Sequence, residues 1–399
     1  MSRSASSLTT RTTSSVLVGK TTAPGVERAW FYETPPPLPN QRAVPEEWRE
    51  LVRDVEKSGI TDGTRRADMF KAWNAKFVGD PCRHTYLCGA PGHLFVYDPP
   101  RDADEADEKR PPYRFLPDAT TPIRLTTNAY GFRGAPVPFQ HQPRTVRIAF
   151  IGASTTVSSH YFPYSYPEFI GNWLNLWATQ RKLDLKFEVL NAGRESITST
   201  DNVNIVREEV LPLKPDFVLL QLYINDFETT QMRRPRPHPL ISDSAARGWG
   251  HSSVLYDMVN SHWVQIQEAT GLAESYVQYL ARNLRDPNAP NAQLAFGMLR
   301  QFIARAKAAG VPCGLVLFPM TDAMGPNGSG YPVGFMHDRV RAIGADAHVP
   351  CLDLLPAFSS YKDPKTLWVS PFDAHPNAIA NRRAAMEMLR AFGGSWQAH

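Results

Sequence analysis

Residues 145–156 read Thr-Val-Arg-Ile-Ala-Phe-Ile-Gly-Ala-Ser-Thr-Thr. The run Val146–Ile151 is short and mostly apolar, and Gly152 and Ser154 follow it at once. A run of this length without strict alternation is expected of a strand buried on both faces. Four more such runs follow: Phe187–Leu190, Phe217–Leu222, Gly314–Phe318 and Val349–Leu354. Helical patterns lie between or after them, at about Pro167–Arg181, Asp201–Leu213, Ala292–Ala309 and Ala378–Ala391. Strands alternating with helices predict an α/β fold, a parallel sheet with crossover helices.

Composition narrows the class. The chain has 399 residues, of which 42% are hydrophobic, enough for one large core and a smaller one. A formal net charge of +4 excludes a strongly basic nucleic-acid binder and a disordered polyelectrolyte. No apolar run is long enough for a membrane-spanning helix. Four cysteines exclude a disulfide scaffold, and 35 prolines predict long irregular connections.

Outward from the central stretch, the regularity fades. Residues 1–26 are rich in Ser and Thr, carry Arg3, Arg11 and Lys20, and hold no acid. They lack an apolar signal core and read as a disordered leader with a faint likeness to a transit peptide. Residues 27–127 read as a proline-punctuated extension or small subdomain, with short helices at 45–58 and 66–78. The acidic run Asp102–Glu108 reads as a solvated loop. Cys82 and Cys88 are spaced either for a small disulfide loop or as unlinked thiols. His84 and His93 lie nearby, in a spacing that fits no standard zinc finger. Cys313 and Cys351, at the starts of the fourth and fifth runs, read as small buried hydrophobes. After the third run comes an insertion at about 227–291, with a basic stretch Arg233–His238 and a helical hairpin around Ser253–Leu284. The glycine- and proline-rich loop Thr321–Tyr331 follows the fourth run. Ligands of open α/β sheets bind beyond the carboxyl ends of the strands, so both segments are placed to line a pocket.

The chemistry lies at the same strand ends. Ser154 follows the first run, with neighbouring backbone N–H groups that can face a developing oxyanion. Asn191-Ala192-Gly193 follows the second run, and Gly193 permits close backbone approach. Tyr223-Ile224-Asn225-Asp226 follows the third, and the Asn225 amide can donate to a substrate oxygen. Asp373-Ala374-His375-Pro376-Asn377 precedes the last helix, where His375 suits a general base. The aromatic residues Tyr161, Phe162, Tyr164, Tyr223 and Phe227 stand close enough in sequence to wall a pocket.

In this order the segments resemble the SGNH (GDSL-like) hydrolases over about 128–392. The segment Asn128-Ala129-Tyr130-Gly131-Phe132-Arg133-Gly134 is similar to the lead-in of many bacterial members. The resemblance implies a flavodoxin-like α/β/α sandwich of five parallel strands in the order 2-1-3-4-5, with the hydrolase domain at 128–399. It implies Ser154 as nucleophile, His375 as base, and an oxyanion hole of the Ser154 N–H, the Gly193 N–H and the Asn225 side chain. Asp373 is assigned as the triad acid. The sequence departs from the family in three places: Ala153 replaces the acid of Gly-Asp-Ser, Tyr223 replaces a glycine, and Phe372 occupies the usual acid position. The implied activity is carboxylic ester hydrolysis on a small-molecule or glycan ester, with no metal or organic cofactor and no nucleic-acid partner. O-acyl transfer to a glycan or small metabolite would use the same residues, and loss of activity would leave a binding module.

Overall fold

The computed structural model describes residues 126–128, 130–158, 165–194, 197–229, 231–232, 240, 254–370 and 373–396, with three short strands before them. The expected leader, the helices at 45–58 and 66–78, Cys82, Cys88, His93, Tyr161, Phe162, Tyr164 and the stretch Arg233–His238 lie outside the described residues. The three early strands, β1 (His84–Leu87), β2 (Leu94–Tyr97) and β3 (Tyr113–Phe115), form an antiparallel sheet in chain order. The sequence reading expected no such sheet in 27–127.

The main sheet contains β4 (Thr145–Ile151), β5 (Lys186–Asn191), β6 (Phe217–Leu222), β7 (Cys313–Leu317) and β8 (Cys351–Asp353). Its order is β5-β4-β6-β7-β8, and all four pairings are parallel. This is the 2-1-3-4-5 order expected. Successive residues of each strand enter opposite layers. Ile148 and Phe150 pack in one core with helices α2 (Tyr166–Gln180), α8 (Leu355–Phe358) and α9 (Ala378–Phe392), whereas Ala149 and Ile151 pack in the other. The second core also takes α3 (Ser199–Ile205), α6 (Pro290–Ala308) and α7 (Gly334–Asp346). Both faces are covered, so the strands read as apolar runs rather than as alternating ones.

Several elements differ from the sequence reading. The helix expected at 201–213 is α3 followed by a π turn, Val206–Val210, and a 3-10 turn, Leu211–Leu213. Pro212 lacks an N–H and ends the regular ladder. The wider turn carries Glu209, which pairs with the buried Arg194. Helix α7 was not expected, although Met336, Val340 and Ile343 recur on one buried face. The insertion does hold a helical pair, α4 (Val254–Ala269) and α5 (Tyr276–Leu284). The thiols of Cys313 and Cys351 are pushed up by burial to about 11 and about 12, which keeps them protonated. No helix among the described residues is long and apolar enough to cross a membrane.

The lead-in at 128–134 forms a closed turn at the edge of the sheet. Asn128 Oδ1 accepts from the N–H groups of Tyr130 (3.0 Å) and Phe132 (3.1 Å), and Gly131 supplies the positive φ of 71° that the turn requires. Arg133 is thereby aimed inward at 2% exposure. Its Nε and Nη2 meet Glu168 at 3.0 and 2.9 Å. Its Nη1 donates to Val157 O at 2.7 Å and to Ser158 O. A buried charge must be paired, and removal of one partner costs about 3–5 kcal/mol. Arg133→Ala is therefore expected to destabilise the fold by about that amount in urea unfolding. A loss below about 1 kcal/mol, the range of exposed pairs, would show that the pair contributes little.

Candidate active site

Ser154 opens the four-residue helix α1 (Ser154–Val157) directly beyond β4. The bend at Gly152 has φ of +158°, and a Cβ there would lie 2.2 Å from Thr156 Oγ1 and 2.8 Å from Gln221 O. Only glycine fits so close an approach of helix to strand. Gly193 is equally confined, since a Cβ would lie 2.6 Å from Val157 N. The Gly193 N–H donates to Asn191 Oδ1 at 3.1 Å, and Asn191 Nδ2 donates to Thr156 O at 3.0 Å. Asn191 thus braces the turn that carries Ser154, and its Oδ1 already takes the Gly193 N–H.

His375 reaches Ser154 from the other side. It lies in β10 (Asp373–Pro376), which pairs antiparallel with β9 (Trp368–Ser370). This hairpin was not read from the sequence. Asn377 then caps α9, its Oδ1 accepting from Ile379 N (2.9 Å) and Ala380 N (3.1 Å). His-Pro-Asn therefore ends a strand and starts a helix within three residues. His375 Nε2 lies 3.0 Å from Ser154 Oγ. In the neutral ring with its proton on Nδ1, Nε2 accepts from the serine hydroxyl. Asp373 stands two positions before His375 on the same strand, and only its backbone is described.

Asn225 lies in the 3-10 turn Ile224–Phe227 beyond β6, half-buried, with Oδ1 buried and without a hydrogen-bond partner. The neighbouring Asp226 is fully buried, and its Oδ2 accepts from Tyr223 N at 2.8 Å. Burial pushes the Asp226 carboxyl up to about 8; the Tyr223 N–H opposes this rise and the charge of Asp201 adds to it.

One acid missed in the sequence reading is Asp322, in a 3-10 turn beyond β7. Desolvation raises its carboxyl, while its own N–H, the Ala323 N–H and the charge of His375 draw it down. The adjacent Thr321 Oγ1 donates to Ala374 O at 3.4 Å, which ties this loop to β10. Met320 N donates to Tyr331 Oη, and Tyr331 Oη meets His337 Nε2, both at 3.0 Å. His337 Nδ1 lies 2.9 Å from Asp353 Oδ1, so the loop is anchored to α7 and β8. Nothing but the Gly-Pro content of 321–331 marked this loop in the sequence, because these contacts join residues from three elements.

The sheet order, the serine beyond the first of its strands and the histidine before the last helix now stand together. They form a five-stranded parallel sheet in an α/β sandwich with a serine–histidine contact at its carboxyl edge. No family model and no curated protein matches the sequence. Similar solved structures include an acetylxylan esterase from Geobacillus stearothermophilus, in a catalytic variant, at 15% identity over 64% of this chain and 97% of that one, with a TM-score of 0.38. LAE5, an alpha/beta hydrolase enzyme from the metagenome of Lake Arreo, is 15% identical over 62% and 95%, with a TM-score of 0.38. TesA is 13% identical over 62% and 97%, with a TM-score of 0.37. Each likeness is distant, in identity and in structural overlap alike.

The raised Asp226 carboxyl predicts a pH dependence of stability. Its carboxyl titrates near 3.8 when unfolded and near 8 when folded. Between these values the folded chain holds a proton that the unfolded chain has released, so stability falls as pH rises. Asp226→Asn keeps an acceptor for the Tyr223 N–H and cannot titrate. The melting temperature of the wild type, measured against Asp226→Asn, is expected to decline from about pH 4 to about pH 8. Parallel curves would remove Asp226 as the source of the slope.

Proposed function

We propose that the chain is a serine ester hydrolase acting on carboxylic esters of small molecules or glycans. The observation that carries this reading is the 3.0 Å contact of Ser154 Oγ with His375 Nε2 at the carboxyl ends of the sheet. Ser154 Oγ attacks the ester carbonyl as His375 Nε2 takes its proton. The tetrahedral oxyanion accepts from the Ser154 N–H and the Asn225 amide, with the Gly193 N–H as a shared third donor. As the bond from carbonyl carbon to leaving oxygen breaks, His375 returns the proton to that oxygen. Water then attacks the acyl-serine, again with His375 as base, and frees the acid. Asp373 is the residue assigned to orient His375.

The test is hydrolysis of p-nitrophenyl acetate, butyrate and octanoate by wild type and variants. Wild-type hydrolysis that vanishes in Ser154→Ala supports the reading, whereas equal rates in both remove it. Asn225→Ala is expected to lower kcat about a hundred- to thousandfold with the fold intact. Near-normal turnover would sink the Asn225 assignment.

The acid is decided by comparing two variants. Asp373→Asn is expected to lower kcat by about a hundredfold or more, and Asp322→Asn by less than about tenfold. The reverse order would move the role to Asp322.

A further inference from the structure

The contact between Ser154 and His375 joins two elements from opposite ends of the domain, and a further set of buried groups links the same two elements. Strand β6 reads Phe-Val-Leu-Leu-Gln-Leu, fully buried, with Gln221 as its one polar side chain. Gln221 Nε2 is buried without a hydrogen-bond partner, which opposes folding, and an apolar residue there would avoid that penalty. What the carboxamide supplies is its oxygen. Gln221 Oε1 accepts from Thr155 Oγ1 at 2.5 Å and from Thr156 Oγ1 at 2.6 Å. These are the two residues that follow Ser154.

Each threonine hydroxyl has one proton, and both protons point to Gln221. The 3.0 Å contact between Thr156 Oγ1 and Tyr166 Oη is therefore donated by the tyrosine. Burial pushes the Tyr166 phenol well above its ordinary value, so it remains a donor. Tyr166 N in turn donates to Asn381 Oδ1 at 3.1 Å. Asn381 is fully buried, and its Nδ2 reaches Pro376 O at 2.9 Å, Asn377 O at 3.1 Å and Ser158 Oγ at 3.3 Å. The chain of bonds thus begins beside Ser154 and ends beside His375.

We propose that Gln221 is a positioning residue that sets the nucleophile turn against β10, acting through Thr155, Thr156, Tyr166 and Asn381; the inference rests on the ester-hydrolase reading. Its carboxamide does not act on the reacting atoms. Its effect is on the angle and distance at which Ser154 meets His375, where a displacement of about 1 Å lowers rates on the order of a hundredfold. Substrate binding away from this contact is untouched, so kcat bears the effect and KM does not.

The experiment measures kcat and KM for p-nitrophenyl acetate, fluorophosphonate labelling rate and thermal melting on the full chain. Thr155→Val and Thr156→Val remove a hydroxyl at nearly constant volume, Tyr166→Phe removes the phenol oxygen, and Gln221→Leu removes the shared acceptor. Gln221→Leu is expected to lower kcat and labelling by about ten- to a hundredfold with KM within about twofold. The valine and phenylalanine variants are expected to lose about three- to tenfold each, and Tyr166→Phe to add little in the Gln221→Leu background. Thr155→Ser and Thr156→Ser keep the hydroxyl and are expected to stay within about twofold of wild type. Folded valine variants with wild-type kcat would overturn the proposal, as would serine variants as impaired as the valine ones. If Gln221→Leu does not fold, the threonine series decides by itself. A wild type that neither hydrolyses nor labels overturns the ester-hydrolase reading and this inference with it. An active wild type with unaffected valine variants overturns this inference alone.

Discussion

A parallel sheet covered on both faces leaves its strand ends and edges open, and ligands of such sheets bind beyond the carboxyl ends. The rest of this molecule follows from that constraint. Strands β4, β6 and β7 are apolar and buried almost throughout, and polar or glycine residues follow β4, β5, β6 and β7. Ser154, Gly193, Asn225 and Asp322 each occupy the first turn beyond a strand. His375 comes from a separate hairpin that folds over the same edge.

Polar groups that do enter the core are there as braces. Arg133 holds the carbonyls at the end of α1 to Glu168, and Arg147 pairs with Glu188 across β4 and β5 at 2.9 Å. Asn191, Gln221 and Asn381 approach the turn that carries Ser154 from three elements. An isolated turn of four residues has too few internal hydrogen bonds to hold one geometry. The surrounding carboxamides and the guanidinium supply what the turn itself lacks. The same logic explains Gly152 and Gly193, where the turn packs so closely that a Cβ would overlap its neighbours.

Electrostatics near the site are set by burial more than by charge pairing. Asp226 is raised because it sits in a desolvated position with one backbone donor, and its neighbour Asn225 keeps an oxygen without a partner. Asp322 is raised for the same reason and stays within reach of the His375 charge.

The local pattern of the chain determined the five strands, the flanking helices α2, α6 and α9, the helical pair in the insertion and the position of each candidate residue at a strand end. These depend on apolar period and on short motifs, which are properties of neighbouring residues. The π turn after α3, the β9–β10 hairpin and the role of Arg133 were not legible. Each depends on a partner outside the immediate stretch: Glu209 on Arg194, Pro376 on Trp368, Arg133 on Glu168. Helix α7 carried a readable spacing, yet Gly334 and Gly344 weaken its propensity, and packing against the sheet overrides that weakness. Sequence alone determined which residues reach the carboxyl edge of the sheet. Tertiary structure alone decided that Ser154 and His375 stand 3.0 Å apart, because the contact joins residues 221 positions apart in the chain and no local stretch encodes it.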